Sequence, residues 1–134
     1  HNALYATFAM AAGWLADHFD KRRVLATGYL LAAVMGIAIV ALPPNLWTLA
    51  LVFALGGVYV AIEETLEDSL CAELVPPAQH GMAFGTLATV NGIGDFASSI
   101  VVGLLWTTLG TTAAFGYSAV LAACGAALVL RVKG

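Results

Sequence analysis

Charge is what this sequence has least of. Asp, Glu, Lys and Arg make up only 10% of its 134 residues, against 61% hydrophobic, and the mean hydropathy is +0.93. A water-soluble domain carries about a quarter charged residues, so the solvent for most of this chain is lipid. Basic residues are fewest: five Lys and Arg, never more than three together, which gives no nucleic-acid surface. Cys71 and Cys124 stand alone. With no C-x-x-C and no histidine at metal-ligand spacing, neither a disulfide framework nor a metal site is expected, and each cysteine reads as a small packing residue. Three scattered histidines pair with no nucleophile, so no enzyme site and no cofactor are expected. Alternating segments of about ten residues, the mark of a membrane barrel, are missing too.

What is present is a series of uncharged runs. A span needs about 20 mostly apolar residues to cross about 30 Å of hydrocarbon. Residues 24–42 fit, and Pro43-Pro44-Asn45 ends them, because paired prolines cannot continue a helix. A second uncharged run covers residues 46–62, and its helix continues to about Leu74, before Val75-Pro76-Pro77. A third covers residues 82–106, broken only by Asp95. Leu109-Gly110-Thr111-Thr112 reads as a turn. Residues 113–130 form the last span, closed by Arg131-Val132-Lys133. The chain opens on His1 with a shorter apolar run, residues 3–16, that lacks the basic start and cleavage pattern of a signal peptide. It reads as a helix cut by a fragment boundary. The fold class expected is all-α, a polytopic transmembrane bundle of one partial and four complete spans forming a single domain over residues 1–134.

Cations set the orientation. Lys21, Arg22 and Arg23 follow the first helix, and Arg131 and Lys133 follow the last. Four spans separate them, so both groups lie on one side, and the tendency of Lys and Arg to stay inside makes that side cytoplasmic. Trp47 and Trp106 then fall at the outer interface, where indoles favour the headgroup level. Gly81/Gly85, Ala9/Gly13, Ala32/Gly36 and Ser99/Gly103, each spaced by four, put small side chains on single helix faces and point to a packed bundle.

The charged stretch between the first two helices carries a resemblance. Gly13, Leu15, Ala16, Asp17, Phe19, Lys21, Arg22 and Arg23 match the loop signature of the major facilitator superfamily, G-x-L-a-D-r-x-G-r-[KR]-x-x. His18 stands where Arg is usual and Asp20 where Gly is usual. In that family the signature follows the second helix and recurs, weaker, after the eighth. A degraded copy suits the second occurrence. A first-half placement implies an Arg in the fourth helix, and residues 46–74 contain none. Glu64-x-x-Glu67, followed by Ala72 to Pro76 and then His80-Gly81, looks like the tenth helix and the loop after it. The resemblance therefore covers the whole chain as helices eight to twelve of a twelve-helix transporter. It implies that Gly13, Asp17, Lys21, Arg22 and Arg23 act as a conformational latch on the cytoplasmic face. From the residues alone, Asp17 sits close enough in sequence to Lys21 and Arg22 for a local ion pair, and the simpler alternative is a plain positive-inside turn.

Two sets of acids stand in the wrong solvent. Asp95 lies 13 residues after Met82, about 20 Å along a helix, well inside the hydrocarbon. Intramembrane acids face a cavity or a partner and often mark pathways. Asn91, Asp95, Ser98 and Ser99 share a face by their spacing, and Gly92 and Gly94 offer a bend or a close backbone approach. Asp95 either pairs with a residue elsewhere in the protein, or holds its proton and packs, or loads and unloads a proton during transport. Glu63, Glu64, Glu67 and Asp68 spread over an arc of about 140° at 100° per residue. Glu63 and Glu64 fall in the last buried turn, and Glu67 and Asp68 at the interface. They line a vestibule, or form an acidic helix end. Where the family often has a basic residue after the second Glu, this chain has Asp68, which removes an internal ion pair. His80 reads as a solvated loop residue, with a pH-sensitive contact as the alternative.

The function expected is secondary active transport of a small solute by alternating access, with proton coupling and a candidate path through Asp95, Asn91, Glu63 and Glu64. The partners implied are the lipid bilayer, the amino-terminal half of the same protein, and a solute moving with protons. The location implied is the inner membrane of a prokaryote. A second class is a small non-transporting bundle that binds a partner; coding sequence for seven further helices upstream separates the two.

Overall fold

The computed structural model describes residues 2–131, with side chains from residue 8 onward. Five helices follow one another: α1 (Asn2–His18), α2 (Lys21–Ala41), α3 (Leu46–Leu74), α4 (His80–Leu109) and α5 (Thr111–Val129), with a 3-10 turn at Pro77–Gln79 leading into α4. There is no strand among the described residues. Helices α2 to α5 are each long and apolar enough to cross a membrane, and α1 is the shorter piece. The chain is thus an all-α, multi-pass bundle. Lys133, used above for orientation, lies outside the described residues.

The breaks follow local chemistry. Asp20 caps α2: its Oδ1 accepts from the backbone N–H of Arg22 at 2.9 Å and of Arg23 at 3.4 Å. These are donors that a helix start leaves without partners. Asn45 does the same for α3, accepting from the Thr48 N–H at 2.9 Å. Thr48 also donates its hydroxyl to the Pro43 carbonyl at 2.8 Å. At the far end, Val75 is extended, at φ −131° and ψ 149°, as a residue before proline prefers. His80 is not a solvated loop residue. It opens α4 and is half-buried, and its Nε2 donates to the carbonyls of Ala72 at 3.1 Å and Val75 at 3.2 Å. These belong to the end of α3, where carbonyls lack helical partners. The expected four-residue turn at the other end is a single glycine. Gly110 has φ +88° and ψ 178°, a conformation open almost only to glycine, so α5 starts immediately after α4.

At about 1.5 Å per residue, the 29 residues of α3 and the 30 of α4 run to about 45 Å. Both exceed the hydrocarbon thickness, so they tilt or overhang it. Trp47 and Trp106 are exposed where α3 begins and α4 ends.

Helix α2 is the centre, packed most extensively on α5 and then on α3, while α1 lies on α3. Lipid gives little hydrophobic drive between helices, so close packing holds them. A Cβ added at Gly28 would lie 2.7 Å from Cγ2 of Ile62 on α3, and one at Gly36 would lie 3.1 Å from the Phe115 carbonyl oxygen on α5. The Ala32/Gly36 face is therefore a helix contact. The Gly81/Gly85 pair and Gly103 meet no other described atom within 4 Å of an added Cβ, and neither do Gly92 and Gly94. The core itself, Ala12, Ala16, Val24, Leu25 and Leu66, sits where α1 hands over to α2. Helix α4 leans on α5, touches α3 sparsely and buries no residue. That loose seam between α3 and α4 leaves room for a cavity.

Candidate functional site

A cavity of about 730 Å³ opens in this seam. Helix α3 supplies Tyr59, Glu63, Glu64, Glu67 and Asp68, α2 supplies Tyr29, and α4 supplies Phe84, Asn91, Gly94 and Asp95. The helical repeat explains the assembly. The four acids of α3 fall on one broad face, and Asn91 and Asp95 lie four apart on the facing helix. Asp95 is 15 residues from the start of α4, about 22 Å, and Glu63 is 17 from the start of α3, about 25 Å. Both therefore sit near the middle of helices about 45 Å long, and Glu67 lies one turn nearer the Lys21 end.

The polar contacts are specific. The Tyr59 hydroxyl donates to Glu63 Oε1 at 2.7 Å. The Tyr29 hydroxyl donates to Glu67 Oε1, and Asn91 Nδ2 donates to Glu67 Oε2 at 2.8 Å. One carboxylate thus ties α2, α3 and α4 together. Asp95 and Asn91 are exposed toward the cavity, Glu64 is exposed on its rim, and Glu63 is partly buried. Ser98 turns its hydroxyl onto the Asp95 carbonyl at 3.1 Å and lines a neighbouring cavity instead. Among the described residues, five carboxylates and no Lys, Arg or His line the space. Such crowding of acidic side chains makes the space attractive to positively charged groups. No group of three or more His, Cys, Asp or Glu among the described residues is placed to hold a metal ion.

The tyrosines were not singled out from the sequence. Tyr59 carries a usable signal, since it stands four residues before Glu63 on the same helix. Tyr29 gives only the weaker hint of a phenol in an apolar span, a ring whose hydroxyl needs a partner when buried.

The charged stretch at the other end is arranged differently from the local pairing expected. Lys21 does not turn back to Asp17. Its Nζ reaches α3, donating to Glu73 Oε1 at 2.6 Å and Ser69 Oγ at 2.7 Å. Asp17 is exposed on the last turn of α1, and Arg23 is exposed on α2. Arg22 is half-buried and lines a second cavity, mostly apolar, between α2 and α3. Gly13 faces α3, where a Cβ would lie 3.9 Å from Cγ2 of Thr65. The two departures from the loop signature have visible work. Asp20 is the cap of α2. His18 donates from Nδ1 to the Trp14 carbonyl at 2.8 Å and stacks on the Trp14 ring, with centroids 4.3 Å apart.

These features define a class, the multi-pass helical membrane protein with a polar cavity reaching the middle of its helices. The family model of the Major Facilitator Superfamily matches residues 2–133, and the chain belongs to that family. It is similar to the MFS-type transporter ppzB of the fungus Metarhizium rileyi, 31% identical over 90% of this chain and 25% of that protein. An uncharacterized MFS-type transporter of Methanocaldococcus jannaschii is 28% identical over 98% of this chain and 33% of its own length. One from Mycobacterium tuberculosis is 31% identical over 69% of this chain and 20% of its own length. The chain thus spans a third or less of the curated relatives it matches. No solved structure matches it.

Proposed function

We propose that this chain is the carboxy-terminal portion of a secondary transporter that moves a small solute by alternating access, coupled to protons. The observation that carries the reading is the mid-depth cavity. Glu63, Glu64, Glu67, Asp68 and Asp95 share one space inside helices built to cross a bilayer. Intramembrane acids are costly and are kept where they serve a pathway. Transporters of this general design bind at the midplane between two halves, and the open face of α4 suits the role of a surface that meets the amino-terminal half. In this reading Asp95 and Glu63 load and release the proton, and Asn91 and Tyr59 orient them or the solute. The stretch from Gly13 to Arg23, with Asp17, Lys21 and Arg22, is the cytoplasmic latch. Its partner on α3 is Glu73, and the Lys21 end faces the cytoplasm of a prokaryotic cell. The names of the relatives, all MFS-type transporters, support transport over partner binding and over enzymatic activity.

The test is the full-length protein in proteoliposomes, assayed against a panel of solutes with and without a proton gradient. Gradient-dependent accumulation or counterflow of a panel member is expected. A bundle that only binds a partner shows neither.

A further inference from the structure

The second cavity, about 610 Å³, lies between the mid-depth cavity and the Lys21–Glu73 end of the bundle. Its walls are mostly apolar, Leu25, Leu70, Leu74 and Val129 among them, and Arg22 and Glu73 stand at its polar end. The two cavities share three lining residues: Tyr29, Glu67 and Leu87. Two of these belong to the hydrogen-bonded group Tyr29–Glu67–Asn91. The partition between the cavities is therefore this hydrogen-bonded clasp together with the Leu87 side chain of α4.

The clasp has one fixed side and one loose side. Tyr29 packs against the core cluster, and its ring lies within 4 Å of a Cβ placed at Gly125 on α5. Glu67 follows Leu66, which is fully buried. Asn91, by contrast, rides on α4, which buries no residue and barely touches α3. Near Asn91, a Cβ at Gly92 or Gly94 would meet no other described atom. Side-chain contacts tie α4 at its beginning through His80 and toward its end through Trp106 against Phe115, with ring centroids 5.5 Å apart. Between those anchors, the Asn91–Glu67 bond holds α4 to α3. Moving the middle of α4 away from α3 breaks that hydrogen bond and carries Leu87 with it.

We propose that the Tyr29–Glu67–Asn91 clasp is a gate within this helical portion, and that its opening creates a side passage from the Lys21–Glu73 end to Asp95. The passage runs among α2, α3, α4 and α5, not between two halves of a transporter. Its use as an entry for water and protons rests on the pathway reading above, but the gate is measurable without transport.

The experiment uses the full-length protein in oriented membrane vesicles, with Cys71 and Cys124 replaced by Ser and a reporter Gly94→Cys in the mid-depth cavity. A membrane-impermeant thiol reagent is added from the Lys21 side. Asn91→Ala and Glu67→Ala, which remove the same bond from its two sides, are each expected to raise the labelling rate about tenfold, the shift in an opening equilibrium that loss of one hydrogen bond produces. Glu67→Gln is expected to stay within about twofold, because a flipped Asn91 amide restores the donor–acceptor match. A Thr112→Cys reporter at the opposite end, labelled by the same reagent added from its own side, must keep its own rate. Unchanged labelling at position 94 in both Asn91→Ala and Glu67→Ala overturns the gate, and so does a parallel rise at position 112, which means general loosening. Absence of solute uptake by the unsubstituted protein counts against the transport reading alone and leaves the labelling result standing.

Discussion

The Lys21 ammonium lies 2.6 Å from the Glu73 carboxylate, joining the first residue of α2 to the last turn of α3 across 52 positions of sequence. The pair is uneven: the Lys21 side chain is 19% exposed and that of Glu73 58%. Solvent on the Glu73 side screens the attraction, so either Lys21→Ala or Glu73→Ala is expected to cost about 0.5–1 kcal/mol of stability. Ser69 accepts a second bond from Lys21, so Lys21→Ala is the costlier of the two. The exchange Lys21→Glu with Glu73→Lys should recover part of the loss. Thermal unfolding of the full-length protein in detergent, run as a double-mutant cycle, checks this; strict additivity of the two single changes would remove the pair from any latch.

Gly28 and Gly36 set how closely α2 approaches its two main neighbours. At Gly28 the obstacle is the branched end and the Cβ of Ile62, and at Gly36 it is a backbone carbonyl, and neither can rotate away. Alanine at either position is expected to destabilise by about 1–3 kcal/mol through overpacking. The same change at Gly81 or Gly85 meets no described atom and should leave the stability of this helical portion unchanged within about 0.5 kcal/mol. Melting temperatures of the four variants separate the two classes. If Gly28→Ala and Gly81→Ala behave alike, the α2–α3 approach is not set by this glycine.

The helices were largely legible because lipid imposes a simple rule: long uncharged runs, stopped by proline, glycine or charge. Asn45 and the Val75-Pro76-Pro77 stop sit where α3 begins and ends. The sequence predicts a longer turn around Gly110, because the positive φ that lets one residue reverse the chain cannot be inferred from a glycine alone. The acids were visible as an anomaly of position, yet their arrangement was not. Counting residues places Glu67 at the interface, and its bonds to Tyr29 and Asn91 depend on how three helices rotate against each other. Lys21 illustrates the limit more sharply. Sequence proximity favoured Asp17, but the helix break at Phe19 and Asp20 turns Lys21 toward α3, where Ser69 and Glu73 stand four apart on one face.

Asp20 departs from the loop signature and gains a structural role by doing so. Its carboxylate accepts from two backbone donors at the start of α2 and places negative charge where the helix dipole favours it. Asp20→Ala is expected to cost about 1 kcal/mol, and Asp20→Asn much less, since asparagine caps nearly as well. Asp20→Gly, which restores the residue usual in the signature, should fall between them. Hydrogen exchange of the Arg22 and Arg23 amides is the direct measure, and equal protection in the unsubstituted protein and Asp20→Ala would show that the cap contributes nothing.

Asp95 and Glu63 make the sharpest functional prediction. Both lie near the middle of their helices and line one cavity, but only Glu63 has a phenol donating to it, from Tyr59. Asp95 is the exposed member, on a helix whose middle is loosely held, so it is the better placed to exchange a proton as the protein changes state. Asp95→Asn keeps the shape and removes the titration. Gradient-driven accumulation of the solute should therefore fall to the level seen without a gradient, while exchange of solute across the membrane at equal pH persists. Tyr59→Phe leaves Glu63 without its donor and is expected to shift the pH dependence of uptake without abolishing it. Proteoliposome uptake with an imposed pH gradient, beside counterflow without one, separates these outcomes. Accumulation by Asp95→Asn equal to that of the unsubstituted protein would assign proton coupling elsewhere, with Glu63 the next residue to replace.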